Sequence, residues 1–242
     1  MKINGGDLTE LESELETALK EHWEHARHCV RERLWFNNIF VAVIAAIFVF
    51  LRQESGSQGT GIVLIIFGLF ISVIGFMVVV ALTLGYLHYM NDVTMIFYYW
   101  DRTEFWRHPK KPTHFGSTHR YFYEFAISLF LVFFFYWLAQ IRWYWLTLGF
   151  IVFFVVIEIL YQCSWKQYSD ECVRFKMALL NDFSGKYRRN WDEWFRNPKF
   201  PEFQERIVKD AENEGIIGPK KEWRICKILR KCRLKIKAIF SF

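Results

Sequence analysis

Ile62–Leu87, IVLIIFGLFISVIGFMVVVALTLGYL, decides the fold of this chain. It holds no charged side chain, and a helix needs only about 20 apolar residues to cross the hydrocarbon core of a bilayer. Lipid offers the backbone no hydrogen-bond partner, so such a segment must satisfy its own N–H and C=O groups as a helix. Three further stretches share this character: Trp35–Leu51, Phe122–Ile141 and Trp143–Leu160. The first ends at Arg52, the third carries Glu124 near its start, and the fourth carries Glu158 near its end. The 242-residue chain is 53% hydrophobic and 20% aromatic, with 26 Phe and 11 Trp. A soluble bundle would need a much larger polar shell than remains outside these stretches.

The sequence therefore predicts an all-α integral membrane protein. Four transmembrane helices form two parallel hairpin repeats, cytoplasmic helices extend from them, and a basic C-terminal tail follows. The segments are an amphipathic cytoplasmic helix (1–34), hairpin 1 (35–88) and a cytoplasmic helix and loop (89–120). Hairpin 2 (121–162), a cytoplasmic helical region (163–219) and the basic tail (220–242) complete the chain. No signal peptide is expected, because residues 1–34 are polar.

Topology follows from the cations. Residues 1–34 and the segment Tyr89–Arg120 hold five Lys/Arg each, and Cys163–Phe242 holds nineteen. The two remaining connections hold one each, Arg52 and Arg142. The positive-inside rule then puts both termini in the cytoplasm of a multi-pass inner (plasma) membrane protein. Trp137, Trp143, Tyr144 and Trp145 suit the aromatic belt at the outer turn.

The repeat rests on two similar turns. Glu104–Pro112 reads EFWRHPKKP, and Glu193–Pro201 reads EWFRNPKFP. Each follows an apolar pair and an inward polar stretch. The prolines end the preceding helices. Trp106, Arg107, Lys110 and Phe195, Arg196, Lys199 are candidates for contact with lipid phosphate or a partner.

Between Leu8 and Leu34 apolar residues recur at three- and four-residue spacing, which predicts one helix continuing into the first span. Its stripe, Leu8, Leu11, Leu15, Leu19, Trp23, Ala26 and Val30, must lie on the inward extensions of spans two or four, or on another subunit. A second helix is predicted from Tyr89 to Trp106, and a third from Ser164 to Phe183, stopped by Ser184-Gly185. In the tail, Lys220, Lys221, Arg224, Lys227, Arg230, Lys231, Arg233, Lys235 and Lys237 interleave with isoleucine and leucine. A basic amphipathic segment beside a bilayer lies most simply on anionic lipid. A protein partner comes next, and nucleic acid is disfavoured.

Chemistry is sparsely signposted. His22, His25 and His28 share one helix but spread over about 120° of its circumference, which strains a common ion. Arg102 and His108 in RTEFWRH have only the loose spacing of an acid–base and phosphate-holding pair. No catalytic residue, metal or cofactor is expected, and the five cysteines are expected as free thiols. Glu158 is the intramembrane ionisable residue, with Arg33, His88 or Lys166 as expected partners. Gly61, Gly68, Ser72 and Gly75 give span two a small-residue face suited to close helix packing or to lining a pore. The leading expectation is a self-associating inner-membrane effector or scaffold that works through its cytoplasmic helices and perturbs the bilayer when assembled. The alternatives are an oligomeric ion or solute channel, and a membrane-surface enzyme on nucleic acid or lipid that uses the central Arg/His loop. The expected partners are anionic lipid, further copies of the chain, and a cytoplasmic protein.

Overall fold

The computed structural model describes residues 5–53, 58–102, 118–140, 142–190 and 200–219. These form six α-helices with no strand among the described residues: α1 Gly5–Gln53, α2 Gln58–Tyr99, α3 Thr118–Ala139, α4 Trp143–Ser164, α5 Lys166–Asn181 and α6 Phe200–Asn213. A short 3-10 turn covers Lys186–Asn190. Helices α1 to α4 are long and apolar enough to cross a membrane, so the chain has the makings of a four-span membrane protein.

Helix α1 has 49 residues and α2 has 42, about twice what a crossing needs. The sequence predicts a separate helix from residue 89, but α2 runs unbroken to Tyr99. The reason is local: between Tyr86 and Tyr99 there is no proline or glycine to interrupt it. It stops in a Schellman turn. The Arg102 N–H donates to Phe97 C=O (2.9 Å), the Asp101 N–H donates to Tyr98 C=O (3.2 Å), and Asp101 takes φ 57°. Aspartate tolerates this left-handed position because its short side chain is polar. Helix α5 ends at Asn181, two residues short of the predicted Phe183, and Gly185 takes φ 65° in the turn that follows. Helix α3 begins at Thr118 instead of Phe122, which brings Arg120 into the helix. Cys29 and Cys172 are free thiols, whereas Cys163 is disulfide-bonded, against the expectation of free thiols throughout.

The chain divides into two compact units. The apolar unit comprises Cys29–Thr83 and Pro112–Trp165. Its helices alternate in direction. Phe40 and Phe48 of α1 meet Tyr123 and Phe130 of α3, so these two run parallel. Gly61 and Gly75 of α2 meet Trp137 and Tyr123, so α2 opposes α3. Tyr121 and Phe125 of α3 meet Phe154 and Phe150 of α4, again antiparallel. Helix α4 packs along α3 and leaves Leu148, Ile151, Val152, Val155 and Val156 exposed.

The amphipathic unit comprises Met1–His28, Leu84–Lys111 and Lys166–Phe242. Its core joins Leu15 of α1, Met95, Ile96 and Tyr98 of α2, and Phe175, Ala178 and Leu179 of α5 to Phe203, Ile207 and Ala211 of α6. The four-residue spacing of Phe203, Ile207 and Ala211 gives α6 one apolar face. Gly215 (φ 71°) closes α6 in a second Schellman turn, with the Ile216 N–H donating to Ala211 C=O at 2.9 Å. Ala26 of α1 packs against Met90 and Val93 of α2. Of the stripe on α1, Leu15 and Ala26 are thus buried in clusters with the extension of α2, whereas Trp23 is exposed.

Candidate functional site

The small-residue face of α2 is filled from α3. A Cβ on Gly61 would lie 2.7 Å from the Trp137 ring, and one on Gly68 would lie 2.5 Å from the Phe130 ring. One on Gly75 would clash with the Tyr123 ring. The glycines step up by seven while their aromatics step down by seven, so one antiparallel register serves all three contacts. Without a hydrophobic drive between helices in lipid, such close approach is what holds spans together. Ser72 is fully buried, and its hydroxyl donates to Gly68 C=O at 2.6 Å. That bond satisfies its donor within its own helix.

Glu158 lies at the other conspicuous feature. Its Oε2 accepts from Arg120 Nη1, which also donates to Glu124 Oε1 one turn along α3. Glu158 Oε1 accepts from Gln162 Nε2. The guanidinium sits 4.3 Å from the centre of the Tyr121 ring and 3.9 Å from that of Tyr161. Arg120 and Glu124 are both buried. The ion pair is thus made with Arg120 and not with the partners inferred from depth. Arg33 instead donates to Thr83 Oγ1 (3.4 Å), and His88 faces Asp92 (4.0 Å). The i, i+4 spacing of Arg120 and Glu124 is the available signal. A reading that starts α3 at Phe122 leaves Arg120 in the preceding loop and misses it.

The histidines of α1 do not converge. His22 Nδ1 is 3.1 Å from Asp92 Oδ2, while His25 stacks on Tyr89 with ring centroids 5.1 Å apart. Among the described residues no three His, Cys, Asp or Glu side chains gather as metal ligands.

In the amphipathic unit a buried network joins α2 to the turn after α5. Tyr98 donates its hydroxyl proton to Asp182 Oδ2 and accepts the Tyr187 N–H at 3.2 Å. Ser184 donates its N–H (3.1 Å) and its hydroxyl (2.6 Å) to Asp182 Oδ1. Burial alone would push the Asp182 carboxyl up. Hydrogen bonds from Ser184, Tyr98 and the backbone outweigh it and hold the group below the usual aspartate range. The ion pair Arg188–Asp101 ties the same elements together, and Arg174–Glu212 and Lys186–Glu214 tie α5 and the turn after it to the C-terminal end of α6. A groove of about 630 Å³ runs between α5 and α6 past Tyr168, Arg174, Glu205 and Lys209. Cys172 borders it, but burial pushes that thiol up, which leaves it a poor nucleophile.

The motif residues Trp106, Arg107, Lys110, Phe195, Arg196 and Lys199 lie outside the described residues, as do His108 and the tail cations from Lys220 to Lys237. No family model matches the chain, and no curated protein or solved structure matches it.

Proposed function

We propose that this chain is a self-associating membrane scaffold or effector whose amphipathic helical unit works at the cytoplasmic face of the inner (plasma) membrane. The observation that carries the reading is the construction of that unit. It has its own buried core and a satisfied polar network around Tyr98 and Asp182. A mere anchor for four spans would need neither. The asymmetry of Lys and Arg supports cytoplasmic termini, and alternation of the four spans agrees with both termini on one side. The alternation also suits two hairpins, 35–88 and 121–162, repeated in one orientation. The exposed apolar face of α4 is the surface that a second copy would share with lipid. Anionic lipid under the basic tail and a cytoplasmic protein partner belong to the same reading.

A conduit has less support. The glycine face that would line it is occupied by Trp137, Phe130 and Tyr123. An enzyme would depend on the Arg102–His108 region, for which no described geometry speaks.

The test is the mass of the protein in lipid nanodiscs and its cross-linking through single cysteines on α4, at Val152 and Val155. The expected result is an assembly whose cross-links run through α4. A monomer that persists at high protein-to-lipid ratio would remove self-association from the proposal.

A further inference from the structure

A scaffold gives Arg120, Glu124 and Glu158 no task beyond joining α3 to α4, yet their stoichiometry exceeds that task. One guanidinium faces two carboxyl groups. Arg120 Nη1 serves one oxygen of each, and Gln162 serves the second oxygen of Glu158. That leaves Glu124 Oε2. The Glu124 side chain is 0% exposed, and this oxygen has no hydrogen-bond donor. The shared Arg120 Nη1 nevertheless holds the carboxyl groups of Glu124 and Glu158 side by side. Two carboxylate oxygens cannot bond each other unless one carries a hydrogen. With both groups ionised, the cluster would also hold an uncompensated negative charge among apolar helices, which is costly. A single hydrogen on Glu124 removes both difficulties: it turns the sealed, unpartnered Oε2 into a donor toward the neighbouring carboxylate and brings the cluster to zero charge.

We propose that Glu124 and Glu158 form a proton-binding site, a carboxylic acid–carboxylate pair that shares one exchangeable proton beside Arg120. A metal cation is the poorer occupant, because Arg120 already lies against both carboxyl groups and would repel it. Glu158 is the route of exchange: its side chain is partly exposed and stands within two turns of the end of α4 at Ser164, whereas Glu124 is sealed. On uptake an O–H bond forms at the pair with a proton from water; on release that bond breaks and the proton returns, and no other bond changes. The groups facing the pair are accounted for by helix. Helix α3 brings Arg120, and α4 brings Gln162 and the Tyr161 ring. Helix α2 brings Phe76 against Tyr161. On α1, Arg33 is directed to Thr83 of α2 instead.

Infrared spectroscopy of the full chain in nanodiscs at neutral pH tests this. The wild type is expected to show the C=O stretch of a protonated carboxylic acid that shifts in D2O. The band should vanish in Glu124→Gln, whose amide N–H makes the same bond to Glu158 and keeps the helices folded. Glu158→Gln is the second variant. There Glu124 ionises against Arg120 and receives a hydrogen bond from the amide introduced on α4, so the band is again lost. A wild type without the band, or a band that survives in either folded variant, overturns the proposal.

Discussion

The ring of Phe130 occupies the space where Gly68 would carry a side chain, 2.5 Å from the position of its missing Cβ. Real Cβ atoms do not come so close to ring carbons, so Gly68→Ala must push Phe130 or separate α2 from α3. Overpacking of this kind costs about 1–3 kcal/mol. Gly68→Leu should cost more. The expected result is a lower unfolding temperature for Gly68→Ala by circular dichroism in detergent, with Phe130→Leu restoring part of it in the double variant. Equal losses for Gly68→Ala in the wild-type and Phe130→Leu backgrounds would show that the two residues are not coupled.

Tyr98→Phe removes the hydroxyl that bonds Asp182 and accepts the Tyr187 N–H. Loss of a buried hydrogen bond to a charged group costs about 1.5–3 kcal/mol. The pH response has a definite direction. Asp182 sits below its unfolded pKa of about 3.9. The network therefore stabilises the fold fully above that value and loses its contribution as pH falls through the folded-state pKa. Without the Tyr98 hydroxyl, one bond that favours the carboxylate is gone, so the acid loss should begin at higher pH. Acid titrations of wild type, Tyr98→Phe and Asp182→Asn followed by near-UV circular dichroism check this, and Asp182→Asn should lack the step.

The four spans are legible in the sequence because the hydrocarbon requirement is a matter of length and charge, which Ile62–Leu87 alone supplies. The small-residue face is legible as a face, since Gly61, Gly68 and Gly75 recur at one spacing. Its occupant is not, because a glycine pattern names no partner and the aromatics of α3 are too many to single out Tyr123, Phe130 and Trp137. Glu158 stands out as a charge in an apolar run. Arg120 does not, because it precedes the apolar run that marks α3. Helix α6 escapes for another reason: Phe203, Ile207 and Ala211 form a narrow stripe in a polar segment, and tertiary packing on Phe175 and Leu179 is what stabilises it.

Ile207 lies at the centre of that packing and is 1% exposed. Ile207→Ala leaves a cavity between α5 and α6 that costs about 2–5 kcal/mol. Local stability differs across a structure, so the loss should appear where the cavity is. Hydrogen exchange followed by mass spectrometry is expected to accelerate in Phe200–Asn213 and Lys166–Asn181, while the apolar core of α2 around Ile65 stays protected. Unchanged exchange in α6 would mean that Ile207 is not what holds it.

The tail carries nine Lys/Arg against one Glu between Lys220 and Lys237. A cation close to an anionic leaflet is worth about 1 kcal/mol, and the attraction falls off within a Debye length. That length shrinks from about 10 Å at 0.1 M salt to about 3 Å at 1 M, so lipid binding by the tail must weaken steeply over this range. A peptide of residues 220–242 should sediment with vesicles containing phosphatidylserine, release at high salt, and ignore vesicles of pure phosphatidylcholine. Replacing Arg230, Lys231 and Arg233 with glutamine should weaken binding in proportion to the charge removed and leave the little that remains less sensitive to salt. Equal binding to both kinds of vesicle would assign the attachment to the isoleucine and leucine residues between the cations, and the anionic leaflet would then drop out as the partner of this segment.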